Sequence, residues 1–355
     1  MSIPLLKLIS PLKHSIFRWM TQDLSARIHP SVEASVRGLL LCLMLAIFQP
    51  AFSQSTIARY PTKPIRMVIA LAPGGGVDTS GRILAQKFTE AWGQSVVAEN
   101  RPGAGGTLAS EAVVHAPADG YTILMSSIGF AIAPAIYKLN FDAINDFIPI
   151  SLFVQSASVL SVHPSLPVST VPAFMSFVRA RPDQVFFSTS GSGSGQHLTM
   201  EMLNRIAGLK LVHVPYKGTA PSIIDLVSGR VSVSAASATS TMPHVKAKRL
   251  RALANTGAKR SASLPELPTL IESGVAGVAL DQWYGLFAPT GTAHSIIVKL
   301  ASEVSRTAAN PEVREHLMGM GLDTVGSSPE EFALYVKSET LRWGKLVKAA
   351  GIKAN

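Results

Sequence analysis

Pro73-Gly74-Gly75-Gly76-Val77-Asp78-Thr79-Ser80-Gly81-Arg82 lies between a β-rich run, Arg66 to Leu71, and an apolar run of helical period, Ile83 to Trp92. This predicts strand, glycine loop and helix, the unit from which α/β folds are assembled. Glycines at a helix start leave backbone N–H groups uncovered at the positive end of the helix dipole, which favours an anion. A nucleotide-binding P-loop needs Gly-Lys-Ser/Thr at that point, whereas this chain has Gly-Val-Asp-Thr. Phosphate is therefore disfavoured, and a small carboxylate or an amino-bearing acid fits better. The same residues also suit a plain strand-to-helix turn with Asp78 in the first turn, and the loop alone leaves both readings open.

Outward from the loop, short β-rich runs alternate with helical ones. Strands are expected at Val96 to Glu99 and Tyr121 to Ser126, with a helix at Gly106 to Val114. After Phe147 to Val162 the alternation resumes, with helices at Val171 to Ala180, Gln196 to Ala207, Ala220 to Ser228 and Thr241 to Lys246. Strands at Val185 to Ser188, Leu211 to His213, Val231 to Ala235 and Leu250 to Asn255 separate them. Residues 281 to 290 read as a return crossing. The final segment is helical over Ser295 to Ala309, Glu312 to Met320 and Ser328 to Ala350, the last opened by a Ser-Pro-Glu-Glu cap. About 300 residues exceed the comfortable size of one core, so two lobes are expected, with the C-terminal helices packing back on the first.

Residues 1 to 53 are set aside as a secretory signal, since Arg37 precedes an apolar run from Gly38 to Phe48 and then Ala51-Phe52-Ser53, a small-x-small site. Cleavage is expected near Ser53–Gln54, giving the same exported mature chain whether translation starts at Met1 or Met20. Cys42, the single cysteine, falls in that segment, where a lipoprotein anchor is the weaker reading, so the mature chain holds no disulfide. Five basic and two acidic side chains leave with the signal, taking the net charge from +10 to +7 over 302 residues. The charge is dispersed, with Lys246, Lys248, Arg249 and Arg251 the densest cluster, so nucleic acid is not an expected partner.

A second strand-to-helix junction, Ser188-Thr189-Ser190-Gly191-Ser192-Gly193-Ser194-Gly195-Gln196-His197, supplies hydroxyls and free N–H groups. A secreted serine esterase using Ser194 and His197 is the less favoured reading, because no serine occupies the centre of a Gly-x-Ser-x-Gly elbow. Two anion-favouring junctions in two lobes instead suggest a ligand gripped from both sides of a cleft. The scattered histidines lack paired ligand spacing, so neither metal nor cofactor is expected. Gly103-Ala104-Gly105-Gly106-Thr107-Leu108 has leucine where a dinucleotide fingerprint needs glycine, and reads as a turn near the cleft rim.

Taken together, Tyr60-Pro61-Thr62-Lys63-Pro64-Ile65-Arg66, the Pro73 to Asp78 loop, Glu99 to Gly106, Asp119-Gly120-Tyr121-Thr122 and His213-Val214-Pro215-Tyr216-Lys217-Gly218 resemble the Bug family, the solute-binding receptors of tripartite tricarboxylate transporters. Leu250 to Ala254, Trp283-Tyr284-Gly285-Leu286 and Trp343-Gly344-Lys345 extend the likeness over the whole mature chain. The resemblance implies an α/β, two-lobed type II periplasmic binding protein fold with two crossover strands. Lobe 1 would comprise residues 54–154 and 282–355, and lobe 2 residues 155–281. It implies a receptor rather than an enzyme, a monomer, holding a small carboxylate and serving membrane permease subunits or, alternatively, a sensor kinase. Gly75, Gly76, Val77 and Asp78 would face the ligand from lobe 1, with Ser126 and Ser127 near the hinge. Ser190, Ser192, Gly193 and Ser194 would grip it from lobe 2, with Tyr216 and Lys217 near the mouth. An Asp at the place of Asp78 can pair with a ligand ammonium in such receptors. One departure stands out: an acid usual after Gly229-Arg230-Val231 is replaced by Ser232, which either leaves the cleft less polar or has no bearing on it.

Overall fold

The structure, a computed structural model, describes residues 60–156, 158–261 and 263–350. The proposed signal peptide and its cleavage site lie outside these residues. The described chain folds as two sheets flanked by helices. The first sheet contains β1 (Ile65–Ile69), β2 (Val96–Asn100), β3 (Thr122–Ser127), β4 (Phe147–Ser156), β10 (Gln282–Pro289) and β11 (Leu322–Thr324), in the order β11-β4-β10-β3-β1-β2. The second contains β5 (Ser158–Val162), β6 (Val185–Thr189), β7 (Leu211–Pro215), β8 (Val233–Ser237) and β9 (Arg251–Asn255), in the order β7-β6-β8-β5-β9.

The two sheets repeat one plan. In each, three strands run parallel (β2-β1-β3 and β7-β6-β8), and an antiparallel strand, β10 or β5, joins them to a fourth. β4 ends in the first sheet at Ser156, β5 opens the second at Ser158, and residues 256 to 281 carry the chain back from β9 to β10. The chain therefore passes between the sheets twice.

Helices fill the connections: α1 (Gly76–Trp92), α2 (Thr107–Val114), α3 (Gly129–Ile136), α4 (Val171–Arg179), α5 (Gly195–Ala207), α6 (Thr219–Val227), α7 (Ala238–Lys246), α8 (His294–Ala309), α9 (Pro311–Gly319) and α10 (Pro329–Ala350). Their ends follow local chemistry. Thr170 caps α4 by accepting the Ala173 N–H at 3.3 Å. At α10, Ser328 Oγ accepts the Glu331 N–H at 3.1 Å while Glu331 Oε2 accepts the Ser328 N–H at 2.9 Å, the reciprocal cap expected from Ser-Pro-Glu-Glu. α10 packs on β4 and α3, with Phe332 and Trp343 buried.

Expected boundaries shift at α1, β8 and α7, the last beginning at Ala238 and not at Thr241, and one helix was not anticipated. α1 begins at Gly76, not at Ile83, because Gly76 to Arg82 already adopt helical geometry with Asp78 capping the loop from inside. β8 starts two residues later than expected, at Val233. α3 was not foreseen: Gly129 to Ala133 are all buried and Pro134 lies inside, so no amphipathic period marks it.

Candidate functional site: a cleft where three helix starts meet

Ligand sites in open α/β sheets form beyond the C-terminal ends of parallel strands. Four loops leave such ends here and face one another: 70–75 after β1, 101–106 after β2, 190–194 after β6 and 216–218 after β7. The first two belong to the first sheet and the others to the second. The Ala72 N–H donates to Lys217 O at 3.3 Å, and Ser240 Oγ, in α7, donates to Gly74 O at 3.5 Å. A Cβ built on Gly75 would lie 3.4 Å from Thr219 Oγ1, at the start of α6. Thr219 Oγ1 in turn accepts Gln196 Nε2, in the first turn of α5, at 3.0 Å. The N-termini of α1, α5 and α6 thus converge, and their dipoles all favour negative charge in the space between.

The polar groups there are neutral. Ser126, Ser127, Ser190, Ser192, Ser194, Gln196, Thr219, Ser237 and Gln282 are all buried, whereas no lysine or arginine is buried among the described residues. The serine loop is tied internally. Ser190 N–H donates to Gln196 Oε1 at 2.8 Å, Gly193 N–H to His197 Nδ1 at 3.2 Å, and Ser194 N–H to Gly191 O at 3.1 Å. This leaves the N–H groups of Gly195 and Gln196, in the first turn of α5, without intrahelical acceptors. Gln282 Nε2, beside Gly195, is a buried donor with no partner among the described residues.

Ser194 is the N-cap of α5, its Oγ accepting the His197 N–H at 3.3 Å. His197 Nδ1 holds the Gly193 amide, so neither residue meets the other as nucleophile and base. The His197 ring stacks on His213, centroids 4.2 Å apart, and His213 stacks on Phe187 at 4.9 Å. Burial pushes His197 down to about 4 and His213 down to about 3, the latter also disfavoured by its neighbour, so both are neutral at pH 7.

The remaining anticipated residues divide into those presented to the cleft and those absorbed by the scaffold. Gly75 is the N-cap of α1 and Gly76 its first residue, where an added Cβ would lie 2.6 Å from the Tyr284 hydroxyl. Ser126 and Ser127 end β3 opposite Gly285 and Tyr284 of β10. The Val77 side chain packs into the core beneath the loop, so only its backbone can meet a ligand. Asp78 is 5% exposed and its carboxylate is fully engaged: Oδ2 accepts the Gly74 N–H at 3.0 Å, and Oδ1 accepts Arg82 Nε and Asn100 Nδ2, each at 2.9 Å. Its observed partners shape the loop. Tyr216 donates its hydroxyl to Asp225 at 2.7 Å, and Lys217 is exposed, its carbonyl bonding Ala72. Ser232 precedes β8 at the end opposite Ser237, roughly 16 Å of strand away from the loops. Its departure from the family pattern therefore does not touch the cleft.

Gln196, Thr219, Tyr284, Gln282 and Tyr137 were not anticipated. Gln196 and Thr219 follow the glycines Gly195 and Gly218 at their helix starts, a local signal that could have found them. Gln282 and Tyr137 reach the cleft only through tertiary packing.

The profile of TctC, the tripartite tricarboxylate transporter family receptor, matches residues 81–352. The chain belongs to this receptor family. The receptor is 37% identical over 321 residues to the "UPF0065 protein in tcbD-tcbE intergenic region" of Pseudomonas sp. (strain P51), covering 90% of this chain and 96% of that one. It is 32% identical over 301 residues to BugT of Bordetella pertussis, covering 83% and 91%. Among solved structures, R. palustris Rpa4515 with adipate superposes with a TM-score of 0.81 at 34% identity, covering 83% of this chain and all of that one. MatC of Rhodopseudomonas palustris with bound malate gives 0.78 at 30% identity, covering 81% and 100%. The receptor thus has the two-lobed type II periplasmic binding protein fold, and its family consists of periplasmic solute-binding proteins, not enzymes.

Proposed function

We propose that the receptor captures a small organic acid between lobe 1 (residues 54–154 and 282–355) and lobe 2 (residues 155–281), and delivers it to the permease subunits of a tripartite transporter. One observation carries this reading: three helix N-termini and a set of neutral hydroxyl and amide donors converge between the two sheets, and no lysine or arginine is buried among the described residues. Such a site suits a carboxylate, which dipoles and hydrogen bonds stabilise without a formal counterion. Adipate in Rpa4515 and malate in MatC favour a dicarboxylate. Gly75, Gly76 and the Val77 backbone would present N–H groups from lobe 1, with Ser126 and Ser127 at their side. Ser190, Ser192, Gly193 and Ser194 would close on the acid from lobe 2. Asp78 would act by shaping the loop, and Tyr216 and Lys217 by framing the mouth.

A thermal-shift screen of dicarboxylates, tricarboxylates, amino acids and aromatic acids tests the proposal. An acid at 100 times its dissociation constant should add roughly 2.7 kcal/mol of stability. Replacing both Ser190 and Ser192 by Ala should weaken binding by about tenfold or more through two lost hydrogen bonds. Unchanged affinity in that double variant would remove the serine loop from the site.

A further inference from the structure

Tyr137 directly follows α3, whose first five residues are buried and which packs against α10, and its N–H closes that helix on Ala133 O at 2.8 Å. From this mount on the first lobe its hydroxyl crosses the cleft and donates to Ser192 O at 2.6 Å. The Ala72–Lys217 and Ser240–Gly74 bonds, which cross the same gap, are longer at 3.3 and 3.5 Å. The peptide unit joining Ser192 to Gly193 is consequently held at both ends, its carbonyl by Tyr137 and its N–H by His197 Nδ1 at 3.2 Å. A planar trans peptide gripped in this way cannot rotate.

The surrounding backbone leaves room only for this arrangement. Gly193 has φ of 76°, and a Cβ there would lie 2.7 Å from Tyr137 Cε2. Gly105 has φ of 64°, and its Cβ would lie 2.7 Å from Ser192 O. Both positions require a residue without a side chain, because the tyrosine ring and the carbonyl occupy that space.

We propose that Tyr137 is a cross-cleft latch: by gripping the Ser192 carbonyl it holds the lobes closed and sets how long a captured acid stays bound. The second half of this statement rests on the carboxylate reading above; the first does not, because donor and acceptor are both protein groups on opposite lobes. Separation of the lobes must break the Tyr137–Ser192 bond, and with it the constraint that fixes the serine loop in its gripping shape.

The Ala72 amide reports closure, since its acceptor is on the other lobe. Tyr137→Phe keeps the ring and removes only the hydroxyl, and it should raise hydrogen exchange at Ala72 by roughly 3- to 10-fold, the range of one net hydrogen bond. Adipate or malate should leave the variant faster by a similar factor, with an unchanged association rate. Tyr121→Phe, which removes a hydroxyl bonded to Thr62 on the exposed surface, should alter neither. Wild-type exchange at Ala72 in Tyr137→Phe would overturn the latch, as would uniform acceleration that includes the β1 core amides, the mark of general destabilisation. If wild-type protein binds neither acid, the carboxylate reading fails for those acids, and Ala72 exchange still decides the latch.

Discussion

Asp78 holds the glycine loop together: one carboxylate closes on Gly74 at the loop's start, Arg82 one helical turn on, and Asn100 at the end of β2. Asp78→Ala would leave the Gly74 and Asn100 donors, both partly buried in these bonds, without this acceptor, and should lower unfolding free energy by about 1–2 kcal/mol in a denaturant titration. If the carboxylate acts by shaping the loop, as we propose, affinity for every acid should fall together, and the order of preference should persist in calorimetry. A reordered preference would show instead that Asp78 touches the ligand. At Gly76, substitution by Ala drives a methyl onto the Tyr284 hydroxyl, and about 1–3 kcal/mol of overpacking should appear in the same titration. The sequence made the loop conspicuous through its glycines. The Asp78–Asn100 bond was hidden, because Asn100 is 22 residues away and meets Asp78 only through the β1–β2 pairing.

At the scale of elements, the β6–α5 junction stands on two neutral imidazoles. His197 and His213 titrate at about 4 and about 3, against 6.5 ordinarily, so between those values the unfolded chain binds protons that the folded chain excludes. Stability should therefore be fully present above pH 6.5 and fall as pH drops toward 4, by on the order of 3 kcal/mol for each imidazole. Unfolding midpoints in urea at pH 4.5 and pH 7 measure this. His213→Phe, which keeps a ring against Phe187 and His197, should reduce the pH dependence by about half. The strand-loop-helix units were readable because loop and cap chemistry is local: Ser194 caps α5, and Ser328 with Glu331 caps α10. α3 was not readable. A helix with no charged or polar side chain, its first five residues buried, carries no polar face, and the Tyr137 mount it provides exists only once the sheets are packed.

Across the whole molecule, the repeated strand order places both sets of parallel-strand ends toward one cleft, and the two passages between sheets join the halves at their middle. The C-terminal helix completes the first half. Trp343 is fully buried with its Nε1 bonded to Glu339 at 2.7 Å, so Trp343→Ala should cost about 3–5 kcal/mol of unfolding free energy, measured by denaturant or calorimetric unfolding. The alternation of elements announced two α/β halves. It could not announce which strand inserts where, since that depends on contacts between residues more than 100 apart, such as Tyr284 with Ser127.

The central claim is that convergent helix dipoles and neutral donors bind a carboxylate between the lobes. A calorimetric titration of the receptor with adipate and malate, against the corresponding diamides, tests it most directly. The account predicts that at least one diacid binds, and that its diamide, equal in shape but uncharged, binds at least about 100-fold more weakly, roughly 2.7 kcal/mol. A diamide that binds as tightly as its acid would contradict it.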